Sequence, residues 1–110
     1  MNAAQKGFNP DYHEEAPSLA EIRELKGNVL LEFGAPTCGH CHASEAIIQN
    51  TFADLDLIHI KVADAKGKRL GRIFKVKLWP TLILLKNGEE VARVIRPLRS
   101  TDLQEITEAL

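Results

Sequence analysis

Val29-Leu30-Leu31-Glu32-Phe33-Gly34-Ala35-Pro36-Thr37-Cys38-Gly39-His40-Cys41 is the stretch that decides the fold. Its first five residues form a near-continuous apolar run bounded by Asn28 and Gly34, which suits a central strand covered on both faces. Ala35-Pro36-Thr37 reads as a turn, and a helix is expected over residues 38–52. Two cysteines three apart close too small a loop to staple a fold, so the pair reads as chemistry. The thiolate is the species that attacks a disulfide, and a free cysteine has a pKa of about 8.5. At a strand-to-helix junction Cys38 faces the free N–H groups and the positive end of the helix dipole, both of which favour a thiolate. His40 can add a donor or a positive charge. Cys41, one turn further on, is near enough to close a disulfide and less exposed. In that division of labour Cys38 attacks a substrate disulfide and Cys41 resolves the mixed disulfide.

Downstream, residues 57–63 alternate and predict a second strand, and residues 66–74 predict a helix with Leu70, Ile73 and Phe74 inward. Trp79-Pro80 precedes a strand over 81–85. Asn87-Gly88 is a hairpin signal leading into a strand over 90–95. A last helix is expected from Ser100 or Thr101, where Thr101-Asp102-Leu103-Gln104 has the pattern of a capping box, with Leu103, Ile106 and Leu110 as its apolar face. Upstream, Ser18-Leu19-Ala20-Glu21 is another capping box, Leu19, Ile22 and Leu25 share a face, and Gly27 is expected as the residue that closes this helix. Residues 1–17 read as an irregular N-terminal arm, anchored by Phe8 and Tyr12, and residues 18–110 as one domain. The class is α/β: a parallel βαβ unit plus an antiparallel hairpin predicts a mixed four- to five-stranded sheet with helices on both faces.

With 110 residues, 45% of them hydrophobic, the chain has room for one buried core and no second domain. A net charge of −1 gives no global bias toward nucleic acid. Residues 61–77 carry seven basic side chains against one acid, Asp64, which reads first as a solvated face and second as a surface for an acidic partner. No apolar run approaches the roughly 20 residues that cross a bilayer. Residues 1–16 lack the apolar segment of a signal peptide, and with only two cysteines the expectation is a reducing cytoplasm.

The run from Val29 to Cys41 resembles the active-site strand and helix start of the thioredoxin family. Trp79-Pro80-Thr81, followed by Leu82 to Lys86 and Asn87-Gly88, resembles its cis-proline loop and hairpin, and the resemblance extends over residues 20–110 in register. It implies the thioredoxin fold, dithiol-disulfide exchange with protein substrates, and a substrate groove at Trp79, Pro80 and Thr81. The backbone of Trp79 would pair there with an extended segment. The resemblance also implies a thioredoxin reductase or another thiol donor as partner. Glu32, six residues before Cys38, holds the position of the family's buried carboxylate. An unpaired carboxylate on a central strand is costly, so Glu32 is a candidate to relay a proton to or from Cys41, directly or through a water. The alternative is a structural carboxylate satisfied by Lys61.

Departures from the family's usual pattern are as informative. Thr37 stands before Cys38 where tryptophan is usual, and His40 replaces proline, which makes the centre similar to that of protein disulfide isomerase. Such a histidine favours the reduced form and implies a pair more oxidising than a thioredoxin's. Trp79 replaces a smaller aliphatic residue and Arg96 a groove glycine. Cys38-Gly39-His40-Cys41-His42 also satisfies the C-x-x-C-H pattern of covalent haem attachment. That reading calls for a haem crevice and a distal ligand, and the only methionine is Met1. Cys38, Cys41, His40 and His42 form too cramped a set for a structural zinc site. His42 reads as a surface residue, and His13 and His59 carry no pattern. No cofactor, metal, nucleic acid or membrane is expected, and the expected state is a monomer. The leading reading is a protein dithiol-disulfide oxidoreductase working as a reductase. The alternative is an interaction module that binds through the Trp79–Pro80 groove with redox chemistry secondary.

Overall fold

The apolar run forms the strand Asn28–Gly34 (β2), the middle of a five-stranded sheet in the computed structural model, which describes residues 1–110. Ile58–Ala63 (β3) pairs with it in parallel and Thr81–Lys86 (β4) antiparallel. Glu89–Ile95 (β5) lies antiparallel beyond β4, and Ala4–Lys6 (β1) pairs antiparallel along the outer edge of β3. The strand order is therefore β1-β3-β2-β4-β5. The helices are Leu19–Glu24 (α1), Gly39–Phe52 (α2), Arg69–Ile73 (α3) and Gln104–Thr107 (α4), the last entered through a 3₁₀ turn at Ser100–Leu103.

Alternation along β2 sorts its side chains to two faces. Val29, Leu31 and Phe33 pack with Ile22 of α1 and Leu70 of α3, whereas Leu30 packs with Ile48 and Phe52 of α2 and Leu103 and Ile106 of the C-terminal turn and helix. On α2 the buried residues are Cys41, Ser44, Ile48 and Phe52, one stripe at helical spacing. Each large side chain fully buried in these clusters stabilises by about 1.5–3 kcal/mol before ordering entropy is counted. The same parity puts Glu32 on the α2 side. In register with it are Lys61 opposite and His59 opposite Leu30, so the three polar side chains share the layer between sheet and helix.

The N-terminal residues depart from the sequence reading: residues 1–17 are not an irregular arm throughout, because Ala4–Lys6 is a strand. Beyond Gly7, which has φ +80, the chain turns back along β3. His13 forms a parallel bridge with Val62, its N–H bonding to the Lys61 carbonyl at 3.1 Å and its carbonyl accepting from Ala63 at 2.8 Å. The outer edge of β3 is thus covered along most of its length. The Ser18 capping box forms as expected, with reciprocal bonds to Glu21 of 3.1 and 3.0 Å. Gly27 does not close α1; with φ +77 it docks on the hairpin turn, its N–H donating to Asn87 Oδ1 at 2.8 Å. The third helix is shorter than expected and leaves Ile73 exposed, as Leu110 is at the chain end. At residue 100 the cap is Asp102 and not Thr101. Its carboxylate accepts the N–H groups of Leu98 and Arg99 at 3.0 and 3.1 Å, which holds it below the usual carboxylate range.

Candidate functional site

Cys38 caps α2. Its backbone is extended, and its sulfur accepts the N–H of Cys41 at 3.1 Å, one of the donors that a helix start leaves free. This bond strengthens as the sulfur gains negative charge. The turn that delivers Cys38 is tied at both ends. Cys38 N–H donates to the Ala35 carbonyl at 3.2 Å, and His42 Nε2 donates to the Pro36 carbonyl at 2.6 Å. His42 therefore braces the turn. His40 is exposed on the first turn of α2, and the hydrogen bond to the Cys38 sulfur comes from backbone. Both thiols are free, Cys38 half-buried and Cys41 buried.

Behind Cys41 lies a run of polar groups. Glu32 is buried, and its Oε1 is 2.9 Å from Nε2 of His59, a side chain with no exposure. Nδ1 of His59 accepts the backbone N–H of Asn9 at 2.9 Å, so Nε2 carries the ring proton and donates it to Glu32. The other carboxylate oxygen, Oε2, accepts a short hydrogen bond from the hydroxyl of Tyr12. That hydroxyl and the sulfur of Cys41 meet beside Gly34, where an added Cβ would stand 2.5 Å from the first and 2.7 Å from the second. Burial, then the Glu32 charge, push the Tyr12 phenol far above its ordinary range. Burial, then the neighbouring Cys38 sulfur, push the Cys41 thiol up to about 11, while Tyr12 and the Ala35 backbone pull the other way.

Sequence reasoning missed Tyr12 and His59 as members of this group and misassigned Lys61. The Lys61 ammonium does not bond to Glu32. It donates to the Pro10 carbonyl at 3.1 Å, sits 4.4 Å from the centre of the Tyr12 ring, and lies 3.9 Å from Glu45. Lys61 thus clamps the N-terminal segment over the site. Strand parity was the usable signal for His59, since it stands two residues before Lys61 and on the same face. Nothing local marked Tyr12.

On the other side of β2, Phe33 pairs with Thr81, so Pro80 lies at the level where the strand gives way to the cysteine turn. The Trp79–Pro80 peptide is cis, and the Thr81 hydroxyl bonds to the Leu78 carbonyl at 2.6 Å. Trp79 is half-buried, and its indole N–H donates to Asp64 at 3.0 Å. Arg96 has φ +54, a left-handed conformation that favours glycine, and its Nε donates to the Trp79 carbonyl at 2.8 Å.

The family model described as Thioredoxin matches residues 12–109. A thioredoxin of Chlamydia pneumoniae is 39% identical over 70 residues, covering 63% of this chain and 69% of the relative. A protein disulfide-isomerase of Datisca glomerata is 26% identical over 113 residues, covering 86% of this chain and 22% of that longer protein. Among solved structures, reduced thioredoxin 2 from Pseudomonas aeruginosa PAO1 superposes with a TM-score of 0.80 at 45% identity, covering 93% of this chain and 95% of that one.

Proposed function

The chain belongs to the thioredoxin family of thiol-disulfide oxidoreductases, and on that premise we propose that it is a protein disulfide reductase with Cys38 as nucleophile and Cys41 as resolving thiol. The observation that carries this reading is the placement of the two sulfurs: Cys38 half-buried at the start of α2 with an N–H donor on it, and Cys41 buried behind it beside a polar group. Cys38 thiolate attacks one sulfur of a substrate disulfide, and the other substrate sulfur leaves as a thiolate that takes a solvent proton. Cys41, once deprotonated, attacks Cys38 Sγ, closes the Cys38–Cys41 disulfide and releases the second substrate thiol. Two electrons have passed to the substrate. A thiol donor, a thioredoxin reductase or a low-molecular-weight dithiol, returns the pair to its reduced form. The setting proposed is the cytoplasm, with the protein working as a monomer. No helix is long and apolar enough to cross a membrane.

The substrate groove is proposed at Trp79, Pro80 and Thr81. Arg96 already donates to the Trp79 carbonyl, so an extended substrate segment pairing there shares or displaces that bond, and this side chain borders the groove. Substrate capture tests the reading. Cys41→Ser should accumulate mixed disulfides between Cys38 and protein substrates that resist gel electrophoresis and disappear with dithiothreitol. A variant that traps nothing from oxidised, unfolded protein offered to it would defeat the assignment of Cys41.

His40 is expected to raise the reduction potential of the pair. Its ring favours the reduced, thiolate form over the disulfide, so His40→Pro should lower the reduction potential. Equilibration with a glutathione redox buffer should then show a larger oxidised fraction at every ratio than the unaltered protein gives. An unchanged or smaller fraction would remove His40 from the redox poise.

A further inference from the structure

We propose that Tyr12, delivered by the N-terminal segment, is the proton conduit between Glu32 and the resolving thiol Cys41. This inference rests on the reductase reading above and deepens it, because it names the group that completes the second step. Three placements carry it. The Tyr12 hydroxyl spends its single proton on Glu32 Oε2, so its oxygen is left to accept. That oxygen and the Cys41 sulfur converge beside Gly34, in the space a Cβ would need. His59, with its proton committed to Glu32 Oε1 and its other nitrogen to Asn9, fixes the carboxylate from behind.

The second step needs such a conduit. While Cys38 is a free thiolate, its sulfur can share the proton of Cys41. Once Cys38 is bound in the mixed disulfide, that acceptor is gone. Burial, the largest cause holding the Cys41 thiol above its ordinary range, persists in the mixed disulfide, so its thiolate fraction at neutral pH stays small. The Cys41 S–H proton passes to the Tyr12 oxygen as the Tyr12 O–H proton passes to Glu32 Oε2. Cys41 becomes a thiolate, Glu32 a neutral acid, and Tyr12 stays neutral throughout, so no net charge is created in the buried layer. Burial and the Glu32 charge keep tyrosinate out of reach, which makes Tyr12 a carrier and not a base. As Cys41 attacks Cys38 Sγ, the departing substrate thiolate takes a proton from solvent, and Glu32 later returns its own.

The remaining charged and titratable groups around Cys41 and Tyr12 are Lys61 from β3, which lies over the Tyr12 ring, and Cys38, His42 and Glu45 from α2. Asp11 precedes Tyr12 in the same segment and lines the same depression. Of these only Lys61 is buried, and its ammonium is held by Pro10 and Glu45.

The test separates the two steps. One equivalent of dithiobis-nitrobenzoate is mixed with the reduced full chain. Attack by Cys38 releases a first coloured thiolate, and resolution by Cys41 releases a second. For Tyr12→Phe the first release should match the unaltered protein, and the second should slow about a hundredfold at neutral pH, the scale of a lost general-base path. Its pH profile should also change. Without the conduit the second release depends on the free Cys41 thiolate, held scarce by burial, and rises about tenfold per pH unit from neutral pH upward. The unaltered protein should show a much shallower profile. Glu32→Gln should give the same steep profile, and the double variant should be no slower than either single one. If Tyr12→Phe loses its cooperative melt, the unaltered protein carries the test in mixed light and heavy water: a curved dependence of the second release on deuterium fraction, two protons in flight, supports the conduit, and a linear one overturns it. A second release in Tyr12→Phe with unaltered rate and pH profile would overturn the proposal, as would simple additivity in the double variant. Failure of the unaltered protein to give the first release would defeat the reductase reading and this inference with it.

Discussion

Cys38→Ser should reduce insulin no faster than dithiothreitol does alone, a loss of roughly three orders of magnitude or more, the scale on which removing a nucleophile acts. A serine hydroxyl at the helix start receives the same N–H donor from Cys41 but offers no thiolate to be stabilised. The fold should be indifferent to the change, because Cys38 is only half-buried and lies outside both hydrophobic clusters. A matched thermal midpoint with no catalysis is the expected pairing of results. Turnover of Cys38→Ser at the unaltered rate would mean that the chemistry lies elsewhere. Measured beside the Cys41→Ser trap, this variant also tells apart an enzyme from a module that binds without exchange, since only the enzyme loses all covalent capture.

The largest effect on stability is expected from His59→Leu. Leucine fills nearly the same space, so little cavity is created, yet Glu32 Oε1 and the Asn9 N–H both lose their partner in a buried layer. Removing one member of a buried, hydrogen-bonded pair costs about 3–5 kcal/mol. For a domain of this size that corresponds to a fall in Tm on the order of 15 °C. Replacing Glu32 by leucine in the same chain removes the stranded carboxylate, so the double variant should be less destabilised than the two single losses added together. Urea unfolding of the four proteins measures this. A His59→Leu chain within about 1 kcal/mol of the unaltered one would show that the pair contributes little.

Most of the fold was legible because its elements carry their own signals. β2 announces itself by an apolar run, α1 by the Ser18 capping box, and the β4–β5 turn by Asn87-Gly88, where both residues take positive φ. β1 was not legible. Ala-Gln-Lys has neither alternation nor β-branched side chains, and it is a strand only because β3 offers it an edge to pair with. The same physics explains what was hidden in the site. Cys38 and Cys41 follow from a short-range pattern, whereas Pro80 and Glu32 were legible only through the resemblance to the thioredoxin family. The partners of Glu32 come from 20 residues upstream and 27 downstream, and are set by sheet register and by the path of a segment without periodicity. Lys61 has the right parity to face Glu32, yet its long side chain reaches past it to the Pro10 carbonyl.

The return of the chain along β3 from Gly7 to His13 does two things with one stretch of backbone: it shields a sheet edge and carries Tyr12. A three-residue edge strand and an irregular return with a single bridge open locally at less cost than the sheet interior. Fraying of these residues would therefore bare unpaired strand groups and withdraw the tyrosine in the same event. Amide exchange at His13 and Ala63 then becomes a gauge of how often the site is complete. A fusion or cut that disturbs residues 7–13 would act on the chemistry at Cys41 without touching either cysteine.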